Sequence, residues 1–246
     1  MAVYPNRNAT TMRQTRAAVD AGLRSHMLKV YNLMALGVAC TGIVTLFMAV
    51  NPALMQTVAL GPAKWILFIA LLGLGFLAPK MIFTGSKALA HGAYWTYAVL
   101  WGLLISPMIY LFLNIPGGAA DIARAFFITS AMFAGASLHG YVTKRDLSAF
   151  GRFFMMAAIG LLVAMLVNVF FTQSSGFSLI ISFAVVLLFA GMTAYETQMI
   201  KRNYLEMRGR GMDNRLAIFG AFVLYGSFIT MFIHVLNIIG IMRGSE

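Results

Sequence analysis

Apolar residues occupy seven long stretches of this chain, separated by short polar segments. They are roughly Leu28–Val50, Trp65–Met81, Ala93–Leu113, Ala123–Val142, Phe153–Phe171, Phe177–Ile200 and Leu216–Met242. The hydrocarbon core of a bilayer takes about 20 apolar residues per helix, so each stretch is a candidate span. No linker is long enough to separate domains, and no internal repeat stands out. The pattern predicts an all-α, polytopic membrane protein. A basic N-terminal segment, residues 1–27, precedes a seven-helix transmembrane domain, residues 28–246. The seventh stretch is long enough to cross the bilayer with tilt. A re-entrant last segment is the alternative.

Composition supports this class. Of 246 residues, 61% are hydrophobic and only 10% are charged, against roughly a quarter charged in a soluble domain. That argues against a soluble enzyme, a nucleic-acid binder and a disordered chain. The net charge of +11, from 18 Lys and Arg against 7 Asp and Glu, would suggest nucleic acid in a soluble protein. Here the basic residues fall between the spans and report orientation instead. Five lie before or at the very start of the first span (Arg7, Arg13, Arg16, Arg24 and Lys29), two between the second and third, three between the fourth and fifth, and five between the sixth and seventh. These fifteen face two on the opposite side, Lys64 and Arg124. The N-terminus and the sixth–seventh loop are therefore expected in the cytoplasm. Residues 1–27 carry Arg7, Arg13, Arg16 and Arg24 with no apolar run ahead of the first span, so no cleaved leader is expected. Thr10 or Thr11 is a candidate cap for a short basic helix on the membrane surface. Together these features fit a bacterial inner membrane. The single cysteine, Cys40, lies within an apolar stretch. It permits no intrachain disulfide or Cys-based metal site and reads as a small packing residue.

Polar residues inside the spans carry the chemistry. An ionised group deep in a transmembrane helix costs about 2.5–3.5 kcal/mol on insertion scales. Glu196 is the one acid well inside a span, while Asp121 sits at a span edge. Glu196 reads as a proton- or cation-responsive carboxylate, or else as an interfacial Glu paired with Lys201 or Arg202. In the last span, Ser227, Thr230, His234 and Asn237 fall within an ~80° stripe at about 100° per residue. Gly220 shares that face. In lipid such a stripe must turn toward other helices or water, which makes the last helix central. The same stripe serves as interhelical hydrogen-bond glue without any transport role. His91 and His139 near span ends read as interfacial, Lys80 after Pro79 as a snorkelling cation, and Pro107 as a kink. The 18 Met and 20 Phe read as lipid-facing or packing residues.

Several enzyme classes lack their residues. No phosphate-binding G-x-x-x-x-G-K loop occurs, so no ATP-driven pump is suggested. The last span has no Lys for a retinal Schiff base. An aspartyl protease needs two buried carboxylates. His234 stands seven residues beyond Ser227, about 10 Å along the helix, out of hydrogen-bond reach as its base. No enzymatic activity, cofactor or bound metal is expected.

Longer motifs point to a family. Asp121–Tyr141 (DIARAFFITSAMFAGASLHGY) with Thr143–Leu147 (TKRDL) resembles the fourth span and following loop of the bacterial Bax inhibitor-1 family, the transmembrane Bax-inhibitor-motif proteins. Ala190–Ile200 (AGMTAYETQMI) resembles the family's sixth-span motif, usually written Tyr-Asp-Thr-Gln, and Gly220–Gly240 its last span. Ala21–Gly42 and Tyr94–Leu111 also fit, so the resemblance covers nearly the whole chain. It implies seven helices with the last surrounded by the other six. It implies a pH-sensitive Ca²⁺ leak in some members, suppression of cell death or stress in eukaryotic ones, and modulation of a membrane-anchored protease in one bacterial branch. In leak-type members two acids on the sixth and seventh spans share a proton and latch the pore. The first corresponds to Glu196 and the second to Ser227, which is no acid. A basic residue ending the second span corresponds to Lys80. A Glu–Ser pair still forms a hydrogen-bonded latch, without the carboxylate repulsion that steepens titration. Any pH response then weakens, or depends on Lys80 or His234. The two residues share a depth only if the sixth helix continues to about Arg208, because Ser227 lies about 18 Å past Arg215. Two functions follow from the sequence: a proton-responsive cation leak, for Ca²⁺, through the bundle centre, or a non-conducting regulator that binds a membrane partner such as a protease.

Overall fold

The computed structural model describes residues 7–244, with side chains from Val19 onward. Every regular element among the described residues is helical. They are α1 (Arg7–Ala49), a short α2 (Pro52–Met55), α3 (Ala63–Thr84), α4 (Lys87–Leu113), α5 (Gly118–Val142), α6 (Phe150–Val167), α7 (Ser175–Met207) and α8 (Asp213–Arg243). Wide π-helical turns, Gln56–Leu60 and Asn168–Thr172, follow α2 and α6. Seven helices, all but α2, are long and apolar enough to cross a membrane, as the apolar stretches predict.

The helices outrun the apolar stretches because apolarity marks only the part inside lipid. α7 continues seven residues past Ile200 to Met207, and α1 starts well before Leu28. No break divides a surface helix from the first span: α1 runs through residue 28, and Leu23, His26 and Met27 are already buried. Thr10, Thr11 and Glu246 lie outside the residues whose side chains are described.

The last helix is the core. In α8, 72% of the apolar window is buried, against at most 33% in any other span and none in α6. Buried Ala217, Gly220 and Ala221 let neighbouring helices approach closely. α8 packs against α1, α3, α4, α5 and α7, whereas α6 packs on α7 alone. Five helices therefore surround the centre and the sixth sits outside them. α6 carries no buried residue, and its apolar side chains suit lipid as well as protein.

Proline positions show how lipid-embedded backbone is satisfied. Pro107 has no N–H to give to the Leu103 carbonyl. The Ser106 hydroxyl donates to that carbonyl instead at 2.7 Å, and α4 continues unbroken. On α1, the Thr41 and Thr45 hydroxyls donate to the carbonyls of Ala98 and Gly102 on α4, at 2.9 and 3.0 Å.

Both ends of α8 are tied, on opposite sides of the bundle. At its start, the Arg215 guanidinium donates to the carbonyls of Ile82 and Phe83 at 3.1 and 2.6 Å, where α3 ends, and Lys29 bonds the Asn214 side chain. At its finish, Arg243 bonds Asp121 and the Pro116 carbonyl, where α5 begins. Its 31 residues span about 46 Å at 1.5 Å per residue, so α8 is long and apolar enough to cross fully, without the break that a re-entrant segment needs. Topology reporters fused before residue 1 and after residue 246 are expected on opposite sides of the membrane; both reading the same compartment would contradict the crossing.

Candidate functional site

α7 and α8 meet along a seam of polar side chains. At its middle the Ser227 hydroxyl donates to Oε2 of Glu196 at 2.7 Å. Glu196 is 4% exposed and Ser227 1%, so no competing water weakens the bond. The matching depth follows from helix length. α7 reaches Met207, which places Glu196 about three turns before its end, while Ser227 lies about four turns into α8.

Toward the other side of the membrane the seam continues. His234 Nδ1 and Ser182 Oγ are 3.0 Å apart, and the Asn237 amide donates to Ser182 at 2.8 Å and to Ser178 at 3.1 Å. Three residues of the sequence stripe, Ser227, His234 and Asn237, thus reach α7. Thr230 does not: its hydroxyl returns to the Gly226 carbonyl of its own helix at 2.8 Å. Gly220 lies on the same face, where an added Cβ would stand 3.2 Å from Ile200 on α7 and 3.1 Å from Val30 on α1.

Apart from Glu196, the α7 half of the seam is not among the residues expected from the sequence, although its signal is present. Ser178, Ser182, Thr193 and Glu196 occur at offsets 0, 4, 15 and 18, which puts them within an ~60° stripe at 100° per residue. Single serines in apolar stretches are common small packing residues, so the stripe emerges only when the four are read together.

The four residues around the acid point to four elements. Successive residues on a helix are turned by about 100°, so four of them cover its circumference. The Tyr195 ring packs beside Phe154 on α6, with centroids 6.1 Å apart. Glu196 meets α8. Thr197 and Ser137 on α5 bond at 2.9 Å, and Ser137 bonds Tyr31 on α1 at 2.6 Å. Gln198 clamps the loop between α5 and α6, accepting from Leu147 N–H at 2.8 Å and donating to the Arg145 carbonyl at 2.7 Å. In that loop the Ser148 hydroxyl and backbone N–H hold the Asp146 carboxyl below the usual carboxylate range, with Arg202 at 3.7 Å assisting.

Other predicted residues stand apart. Lys80 is exposed on α3 and joins no bond to Glu196 among the described residues. Lys201 and Arg202 do not pair with Glu196 either: Lys201 donates to the Tyr141 carbonyl at 2.9 Å, and Arg202 faces Asp146. His91 and His139 are exposed. Two buried groups were not singled out from sequence. His26 stacks on Tyr204 with centroids 4.6 Å apart. Asp121, 4% exposed, lies between Arg243 and Arg124, the latter at 2.9 Å. Its partner Arg243 is 122 residues away, and no local pattern announces such a pairing.

The family is decided by comparison over the whole bundle. A family model described as "Inhibitor of apoptosis-promoting Bax1" matches residues 23–244. The chain belongs to the Bax inhibitor-1 family. Relatives of similar length include an uncharacterized protein of Rickettsia prowazekii, 38% identical and aligned over 91% of this chain and 92% of its own. One from Deinococcus radiodurans is 39% identical over 88% and 90%. The inner membrane protein YbhL of Escherichia coli is 35% identical over 91% and 94%. In this member of the Bax inhibitor-1 family, the sixth-span motif is thus the one that joins α7 to α5, α6, α8 and a loop.

The seam makes a contrast in stability testable. Ser182→Ala leaves His234 without its partner and Asn237 with Ser178 alone, at a cost of about 1–3 kcal/mol for a stranded buried polar group. Thr230→Val removes only a bond within one helix and is expected to cost less than about 0.5 kcal/mol. Thermal unfolding of the detergent-solubilised variants checks this; equal midpoints would remove Ser182 from any stabilising role.

Proposed function

We propose that this Bax inhibitor-1 protein is a proton-responsive cation leak, with Ca²⁺ as the physiological cargo. Glu196 senses protons, and the α7–α8 seam is the path that opens. The supporting observation is the buried Glu196–Ser227 bond at 2.7 Å, continued by hydroxyl, imidazole and amide groups along one face of each helix. A carboxyl in lipid is costly when charged and is retained where its ionisation does something. When neutral, Glu196 can donate or accept; when ionised, it only accepts, and it draws cations. A change of charge there alters the bond that holds α7 to α8 at mid-membrane. Lys80 plays no direct part in this reading, since it is exposed away from the acid.

The orientation proposed is a cytoplasmic N-terminus, following the basic residues, with the protein in a bacterial inner membrane, as the name of the YbhL relative suggests for that protein. One observation favours a second reading, a non-conducting regulator that binds a membrane partner such as a protease. The seam holds a single carboxylate, where a leak latched by a shared proton would have two.

Flux of Ca²⁺ into liposomes containing only this protein, measured between pH 5 and 8, separates the readings. A leak gives protein-dependent flux whose pH dependence is largely lost in Glu196→Gln, because Gln keeps the shape but cannot titrate. A folded wild type that carries no flux would leave the regulator. Ser227→Asp restores a second acid within bonding distance of Glu196. Two like charges in one low-dielectric site cannot both ionise easily, so the pH profile is expected to steepen; an unchanged profile in a folded variant would break the proposed pairing of sensor and latch.

A further inference from the structure

A groove runs along the side of the bundle between α1 and α5. The backbones of these two helices do not approach closely, although both pack on α8; the Tyr31–Ser137 bond is the link between them that closes the groove's inner wall. The facing stripes run from Arg24 to Leu46 on α1 and from Ala119 to Tyr141 on α5. Each covers 22 residue steps, about 33 Å, which matches the ~30 Å hydrocarbon thickness of a bilayer. Small residues hollow it out: Ala35, Ala39 and Gly42 on α1, and Ala119, Ala123 and Ala134 on α5.

Two cavities lie in this groove. One of about 490 Å³ occupies the half nearer the N-terminus, between Met27 and Tyr31 on one wall and Phe133 and Ala134 on the other. The second, about 520 Å³, lies in the opposite half over Phe228 and Phe232 of α8. Both fall within the roughly 300–1,000 Å³ of sites that hold small molecules. Their walls are almost wholly apolar. The groove opens sideways, because its rim residues Leu28, Phe127 and Leu138 are 52%, 70% and 63% exposed. Whatever fills it enters from the lipid. The first cavity ends at Arg24, which is exposed and has no ion-pair partner among the described residues. On its inner wall Tyr31 bonds Ser137, which bonds Thr197 beside Glu196.

We propose that the α1–α5 groove is a binding site for an anionic phospholipid of the leaflet on the N-terminal side, with one acyl chain in the first cavity and the phosphate on Arg24. Charge complementarity selects this occupant. An apolar slot open to the bilayer accepts any acyl chain, and a guanidinium at its mouth can bond the phosphate of any phospholipid; the preference for an anionic lipid comes from net charge, because a zwitterionic headgroup brings its own ammonium beside the guanidinium. The site is separate from the seam and does not depend on the proposed ion leak.

The test uses full-length protein released from nanodiscs and native mass spectrometry, with dioleoyl phosphatidylglycerol and dioleoyl phosphatidylcholine as competing probes. Wild type is expected to retain phosphatidylglycerol in preference by about fivefold, the weight of one basic residue against an anionic surface. Arg24→Gln, a surface change, should bring the two lipids near parity. Ala134→Trp fills the first cavity and should lower retention of both, whereas Ile159→Trp on α6, 52% exposed, should retain lipid as wild type does. Leu138→Trp at the exposed rim replaces Ala134→Trp if that variant does not fold. Undiminished retention in a folded cavity variant, an undiminished preference in Arg24→Gln, or a second protein copy held in place of lipid would overturn the proposal.

Discussion

A carboxyl group and a hydroxyl group meet in the middle of this bundle, and most of the architecture is arranged so that they can. Glu196 and Ser227 have no water to turn to. In such surroundings each polar group must find its partner inside the protein, or a cost of order 1–3 kcal/mol remains. The 2.7 Å bond between them fixes how far α7 slides along α8, and the Ser182 and Ser178 bonds to His234 and Asn237 repeat the same register toward the far side. Because α8 presents polar groups over its middle third, Ser227 to Asn237, it cannot face lipid there, and five helices enclose it.

The enclosure then depends on α7 more than on α8. Tyr195, Glu196, Thr197 and Gln198 bind four different elements because a helix turns about 100° per residue. Through Thr197 and Ser137 the acid's neighbourhood reaches Tyr31 on α1. The approach of α5 is set by Gly140, where a Cβ would fall 2.1 Å from the Ala194 carbonyl oxygen. Small residues at helix contacts let hydroxyls and backbone meet at bonding distance. Motif chemistry and packing are here one arrangement: the residues nearest the acid also hold its neighbours.

Sequence carried the seven spans and the central place of α8, since lipid imposes length and forbids an exposed polar stripe. It also carried the shared depth of Glu196 and Ser227 as a condition on the length of α7, which the helix meets by running to Met207. It did not carry the choice of partner. Glu196 has Lys201 and Arg202 close in sequence, yet both turn outward to Tyr141 and Asp146, because residues five and six positions on lie on another side of the helix or a further turn along it. Thr230 shares the stripe but bonds its own backbone, a local alternative always open to a helical threonine. The outside position of α6 was nearly hidden, for its mean hydropathy of 2.5 stands only slightly above the 2.3 and 2.1 of the packed α7 and α8.

The central claim is that Glu196 and Ser227 are energetic partners across α7 and α8, and a double-mutant cycle measures that directly. Unfolding free energies of wild type, Glu196→Ala, Ser227→Ala and the double variant, taken in one detergent, give the interaction term. The two substitutions are expected to be non-additive by about 0.5–3 kcal/mol, with the second costing less once the first is made. Additivity within about 0.3–0.5 kcal/mol, the behaviour of independent sites, would contradict it.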